Sequence, residues 1–323
     1  MIQPSAASGS KNHGLIKKLI INRQFLFLLA PGVVYLLIFA YLPMPGLVIA
    51  FKDLVFKEKS FIANLMNSKW FGLRNFEVFF KSKDAWMITR NTVLYNIVFI
   101  VLGLTLSVTL AIIMTELRNR RTAKVYQTIL IFPSFISWVV VSYLVYSVLE
   151  PNFGTANQLL KSVGAKPVSW YTRADLWPFL LVFFNVWKGL GMSAVFYIAA
   201  LSGVDQELYQ AAQIDGASKW QQIWAITIPC LRPTMTLLTI LALGGIISTD
   251  FGLFWTTTLR LGKGALYSVA STIDTYLYQQ LMQNNRYGLS AAVGFFQAIV
   301  GFVMICTANY FVGKLDPEGT RLF

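Results

Sequence analysis

Long apolar runs separated by short polar stretches organise this sequence, and six of the runs approach or reach the length of a membrane crossing. Crossing about 30 Å of hydrocarbon takes roughly 20 helical residues, because every backbone polar group has to be satisfied within the segment. The runs are 25–51, 92–114, 125–149, 176–201, 234 to about 255, and 289–312. The first carries no charge, the fourth is interrupted by Asn185 and Lys188, and the fifth carries Asp250 near one end. The pattern predicts an all-α membrane protein with six transmembrane helices. The first run follows Lys17, Lys18 and Arg23 as a signal peptide would, but it is too long and no small-residue cleavage site follows, so it reads as an uncleaved helix. Pro31, Pro43 and Pro45 bend or end it.

No internal repeat, low-complexity segment or interdomain linker breaks the pattern. The reading is a single transmembrane domain, 25–313, between a cytoplasmic N-terminal tail at 1–24 and a cytoplasmic C-terminal tail at 314–323. Composition supports it: 56% of the 323 residues are hydrophobic and 13% are charged, where a soluble domain has about a quarter charged. The single histidine, His13, lies in a polar tail, and Cys230 and Cys306 are far apart. Those residues supply neither a zinc spacing nor a catalytic triad. No GxxxxGK[ST] stretch occurs, so any ATP chemistry belongs to another chain.

The net charge is +13, with the basic residues lying between apolar spans rather than on one compact face. That arrangement reads as topology signals and contact with anionic headgroups, not nucleic-acid binding. Arg118, Arg120, Arg121 and Lys124 crowd the stretch 116–124. A raw count of basic residues does not favour either orientation, but the weight of this short loop places the N-terminus in the cytoplasm. The outside loops are then 52–91, 150–175 and about 256–288. Phe76, Phe79, Phe80, Trp86 and Met87 among the charges of the first predict a helix lying on the membrane surface.

The most informative segment is 203–233. Asp205 is placed to cap a short helix through Ile214, with Leu208, Ala211 and Ala212 on one face. Asp215-Gly216 is a turn signal, and Ser218 with Gln221 makes a capping box that starts a second helix. Pro229 and Pro233 are expected to interrupt that helix where the fifth span begins. The segment is thus a helix–turn–helix elbow.

At these residues the sequence resembles a family. Gln210-Ala211-Ala212, Asp215-Gly216-Ala217 and Ile226-Thr227-Ile228-Pro229 are similar to the EAA motif of ABC importer permeases. Tyr197 to Leu201, Asp274-Thr275-Tyr276 through Ala291-Ala292-Val293-Gly294, and the C-terminal Glu318-Gly319 and Leu322-Phe323 resemble the permeases that serve complex oligosaccharides. The resemblance covers most of the chain from about Phe25. It implies the type I importer fold, with Gln210, Ala211, Ala212, Asp215, Gly216, Ala217 and Pro229 in the element that docks on an ATPase. Gln210 stands where the family has glutamate, which removes a charge and leaves hydrogen bonding. The implied partners are a second homologous permease, two ATPase subunits and an extracytoplasmic binding protein. No cofactor is expected in this chain, ATP and Mg being bound by the ATPase, and the expected location is the bacterial inner membrane.

Sugars are bound by aromatic faces and by amide or charged groups on their hydroxyls. Trp138, Asn185, Trp187, Lys188 and Tyr197 are the candidates within the spans, with Ser137 and Tyr143 beside them. A lysine near mid-membrane costs about 2.5–3.5 kcal/mol on insertion scales, so Lys188 either lines a cavity or pairs with Asp250. For Trp138 and Trp187, helix packing explains the residue type as well as stacking does. The outside loops with Asp250 hold fourteen basic against eight acidic residues. This field would draw an acidic saccharide such as alginate, and equally lipid headgroups or an acidic binding protein. The rival class is an ion-coupled secondary sugar transporter, against which stand the lack of a repeat and the single carboxylate near a span.

Overall fold

The computed structural model describes residues 22–56, 58–117, 119–260 and 264–315. His13, Lys17, Lys18, Arg118 and the C-terminal Glu318-Gly319 and Leu322-Phe323 lie outside the described residues. Five helices are long and apolar enough to cross a membrane, and a sixth crossing results when one sharply bent pair is counted as a single span. In chain order the spans are Arg23–Phe51, Ala85–Glu116, the pair Arg120–Phe135 and Trp138–Leu149, Trp177–Ser202, Lys219–Gly244 and Tyr287–Lys314. The all-α membrane class and the six-span count stand as the sequence predicted.

Span 1 continues through a π turn at Leu37–Tyr41 and a 3₁₀ stretch at Met44–Phe51, and Pro31 sits inside its helix without ending it. Span 2 begins at Ala85, earlier than expected, so Trp86 and Met87 belong to its first turn rather than to a surface helix. The short helix Arg74–Phe80 does form in the preceding loop. Its Phe79, however, is buried against Ile88, Tyr276 and Leu289, so this helix packs into the bundle instead of lying free on the membrane surface.

Two spans depart from the continuous helices expected. Span 3 turns by 96° between Phe135 and Trp138. Pro133 offers no N–H and disfavours regular helix, a 3₁₀ turn covers Phe132–Phe135, and the Ser137 hydroxyl then caps the outgoing half at Val140. Span 5 was expected at 234–255 but runs Lys219–Gly244, so the predicted window straddles its end. Pro229 sits in the first turn of the helix Ile228–Gly244 and Pro233 lies inside it. Neither interrupts it: Pro229 falls in the first turn, where the wider π turn Ile223–Thr227 covers the carbonyl four residues back that its ring would crowd, and Pro233 is accommodated within the helix. Gly244 and Gly245 end the helix, Trp255 belongs to a separate π-helical segment, Gly252–Leu259, and Asp250 lies just before it.

Broken backbone at membrane depth needs hydrogen-bond partners from protein, since lipid supplies none. Side chains of neighbouring spans provide them here. The Asn96 amide of span 2 donates to the carbonyls of Ile246 and Ser248, each at 2.9 Å. Gln297 of span 6 donates to the Ile247 carbonyl at 2.9 Å, and Asp274 accepts from the Thr249 amide at 2.6 Å. Further along, Asn91 donates to the carbonyls of Ser268 and Ser271, and the Tyr95 hydroxyl to that of Val269.

Candidate functional site

The bend of span 3, the middle of span 4 and the segment after span 5 converge on Trp138. Lys188 places its ammonium 5.3 Å from the centre of the Trp138 ring, a cation–π arrangement worth about 0.5–2 kcal/mol according to solvation. The same ammonium donates to the Ser134 carbonyl at 3.0 Å, while the Ser134 hydroxyl donates to the Lys188 carbonyl at 2.7 Å. This reciprocal pair ties span 4 to the 3₁₀ turn Phe132–Phe135 and fixes Lys188 beside the bend.

On the other side of the indole, Trp138 Nε1 donates to the Asp250 carboxylate. Asp250 also accepts from the Gly252 amide at 2.9 Å and so caps the π-helical segment. Gly252 is required there: a Cβ would sit 2.5 Å from a Trp138 ring carbon. Lys188 and Asp250 therefore form no direct ion pair among the described residues; one indole lies between them and contacts both. Trp138 and Lys188 are half-buried and Asp250 is exposed, so the charges remain reachable.

Three features here escaped the sequence reading. Arg260 donates to the Tyr143 hydroxyl at 3.3 Å and lies 5.8 Å over its ring, a second cation–π contact on the outgoing half of span 3. Phe251, Trp255 and Tyr278 form a cluster of rings with centroids 4.7–5.9 Å apart, next to Asp250. Ser134 supplies the anchor for Lys188. Treating 234–255 as one continuous helix hid the first two, since it assigned Trp255 to lipid-spanning apolar sequence and Arg260 to a loop.

Of the remaining candidates, Asn185 is half-buried three residues before Lys188, on the same helical side. Trp187 instead lines an apolar groove of about 410 Å³ with Val141, Leu144, Leu180 and Phe183. Tyr197 is 3% exposed and packs among Val108, Leu201 and Leu231. The structure does not bring these two to Trp138.

The elbow forms from local signals. The Asp205 carboxylate accepts from the Glu207 amide at 2.9 Å and caps Gln206–Ile214. Gly216 turns the chain with φ +76°, a left-handed conformation that glycine adopts without penalty. Ser218 and Gln221 complete a reciprocal capping box at Lys219–Gln222. The result is a projecting corner. Gln210, Ala211, Asp215 and Gly216 are exposed, Ala212 and Ala217 are half-covered, and Ile214 at its tip is 87% exposed. Pro229 lies apart from the corner, at the base of span 5.

A bundle of membrane-crossing helices with a broken, charged interior and a projecting elbow is a multi-pass membrane permease. The chain belongs to the family described as binding-protein-dependent transport system inner membrane component, whose model matches residues 107–317. It is 34% identical to protein LplB of Bacillus subtilis (strain 168) over 92% of this chain and 91% of that protein. To the polygalacturonan/rhamnogalacturonan transport system permease protein YteP of the same organism it is 30% identical, covering 96% and 94%. Among solved structures it resembles a chain of a bacterial ABC transporter involved in the import of the acidic polysaccharide alginate. The TM-score there is 0.81 at 30% identity, with 94% of this chain and 99% of that chain covered.

Proposed function

We propose that this permease carries an acidic oligosaccharide across the bacterial inner membrane as one transmembrane subunit of an ABC importer. An extracytoplasmic binding protein delivers the sugar, a second homologous permease completes the pathway, and two ATPase subunits bind ATP and Mg and dock on the elbow. The N-terminus faces the cytoplasm in this reading, which puts the elbow on the ATPase side.

The observation that carries the reading is the Trp138 cluster. It offers a ring face, the Lys188 cation and a hydrogen-bonding carboxylate beside the bend of span 3, groups suited to a sugar that carries a carboxylate. Support comes also from the similar proteins, two of which are named for polygalacturonan and for alginate. The test is uptake into vesicles that hold the assembled complex, with the binding protein outside and ATP inside. Oligogalacturonides or alginate oligomers should accumulate only with ATP, and collapse of the proton and sodium gradients should leave the rate unchanged. Accumulation that follows an ion gradient without ATP points to the secondary-transporter class and ends this proposal.

A further inference from the structure

A docked elbow transmits movement only if its base is fixed to the spans that must move. The helix Gln206–Ile214 has no buried residue of its own, so packing alone does not fix it. Among the described residues, two polar side-chain contacts join this elbow to the bundle around a polar cavity of about 350 Å³ lined by Thr115, Gln206, Gln213 and Lys219 among others. One is the ion pair of Lys219 with Glu116, the last residue of span 2, at 2.8 Å. Both of its side chains are well exposed, and such pairs hold little. The other is the hydrogen bond between the Tyr209 hydroxyl and the Thr227 hydroxyl at 3.0 Å. Thr227 is buried, with 5% of its surface exposed, and is the last residue of the π turn Ile223–Thr227.

That π turn is the joint between the second elbow helix and the helix of span 5. Wide helical turns of this kind are local irregularities that can shift register or bend. The Tyr209–Thr227 bond crosses the joint from the elbow helix to the base of the span. We infer that Tyr209 and Thr227 are positioning residues that lock the elbow to span 5, so that displacement of the elbow is passed to the broken interior instead of being absorbed in the π turn. This rests on the reading of the elbow as the ATPase dock.

The experiment compares Tyr209→Phe, Thr227→Val, the double variant, Thr227→Ser and Ile214→Asp in the assembled complex, reading substrate moved per ATP hydrolysed and the amount of ATPase retained. Each hydroxyl deletion should lower substrate per ATP about three- to tenfold, the range one hydrogen bond supplies. The double variant should be no worse than either single, because both remove one interaction. Thr227→Ser, which keeps the hydroxyl, should restore coupling. Ile214→Asp, at the exposed tip, should instead release the ATPase. Normal coupling in both deletions while Ile214→Asp releases the ATPase overturns the lock and leaves the dock standing. Full ATPase retention in Ile214→Asp overturns the dock and the lock together. Should the deletions assemble poorly, a Thr227→Ser complex as uncoupled as Thr227→Val overturns the inference on its own.

Discussion

The break after Gly244 and the elbow at 203–218 both take the chain out of regular helix, but they are held by different kinds of partner. At the break, the carbonyls of Ile246, Ile247 and Ser248 are satisfied by Asn96 and Gln297, which come from spans remote in sequence. At the elbow, the helix ends are satisfied by Asp205, Ser218 and Gln221, each within three residues of the group it caps. The difference follows from the solvent. An exposed corner loses little when a cap is removed, because water replaces it, whereas a carbonyl covered inside the bundle has no such substitute. The break is therefore built for rigidity around Trp138, and the elbow for local shape that another chain can grip.

The largest expected effect tests the break. Asn96→Leu removes both donors to Ile246 and Ser248 and leaves two carbonyls without their partner. The Ile246 carbonyl is half-covered and the Ser248 carbonyl exposed, so the loss is about 1–4 kcal/mol, most of it at Ile246, read as a lower thermal midpoint and poor yield in detergent. A variant as stable as the parent would show that the break is satisfied some other way.

Gly216→Val comes next. Its φ of +76° is strongly disfavoured for a β-branched residue, at a cost of about 1–3 kcal/mol confined to the turn. Yield should be preserved while substrate-stimulated ATP hydrolysis is lost, and unchanged stimulation would place the functional turn elsewhere. Ser218→Ala removes one cap and should lower stability by about 1 kcal/mol in the same melting assay, clearly less than Asn96→Leu. Equal losses in the two would erase the contrast between the regions.

The smallest effect concerns the loop pair Arg173–Asp175, between spans 3 and 4. Hydrogen bonding from Arg173 holds the Asp175 carboxyl below its ordinary value. A carboxyl lowered on folding stabilises above its unfolded value, and the contribution fades as pH falls through the lowered folded value. Both side chains are exposed and screened, so Arg173→Ala should leave the melting midpoint unchanged at neutral pH. A clear drop there would mean that this loop is more buried in the working assembly.

The same contrast explains what could be read from the sequence. Asp205, Gly216 and the Ser218–Gln221 box act on neighbours a few positions away, so their spacing alone specified the elbow. The family motif lies there for the same reason. Span 4 was legible because its apolar run ends where its helix ends. The break was not legible, since nothing near Gly244 announces that Asn96 and Gln297 will satisfy its carbonyls. Nor does hydropathy distinguish a continuous helix from one stopped by Gly244 and Gly245 and resumed at Gly252. Lys188 and Asp250 stood out as charges in apolar runs, but the indole that separates them required the bend at Pro133 to bring Trp138 between.

Transport by Lys188→Met measures the central claim most directly. Methionine keeps the apolar stem and removes the charge and its donors. Because Lys188 contacts Trp138 and Ser134 and not Asp250, no carboxylate loses a salt-bridge partner and assembly should hold. The account predicts normal complex yield with at least about a tenfold fall in ATP-driven uptake of a uronate oligomer, about one charged hydrogen bond lost, and a much smaller fall for a neutral oligosaccharide. Uptake of the acidic sugar at the parent rate, in a complex of normal yield, would contradict the assignment of the Trp138 cluster as the substrate site.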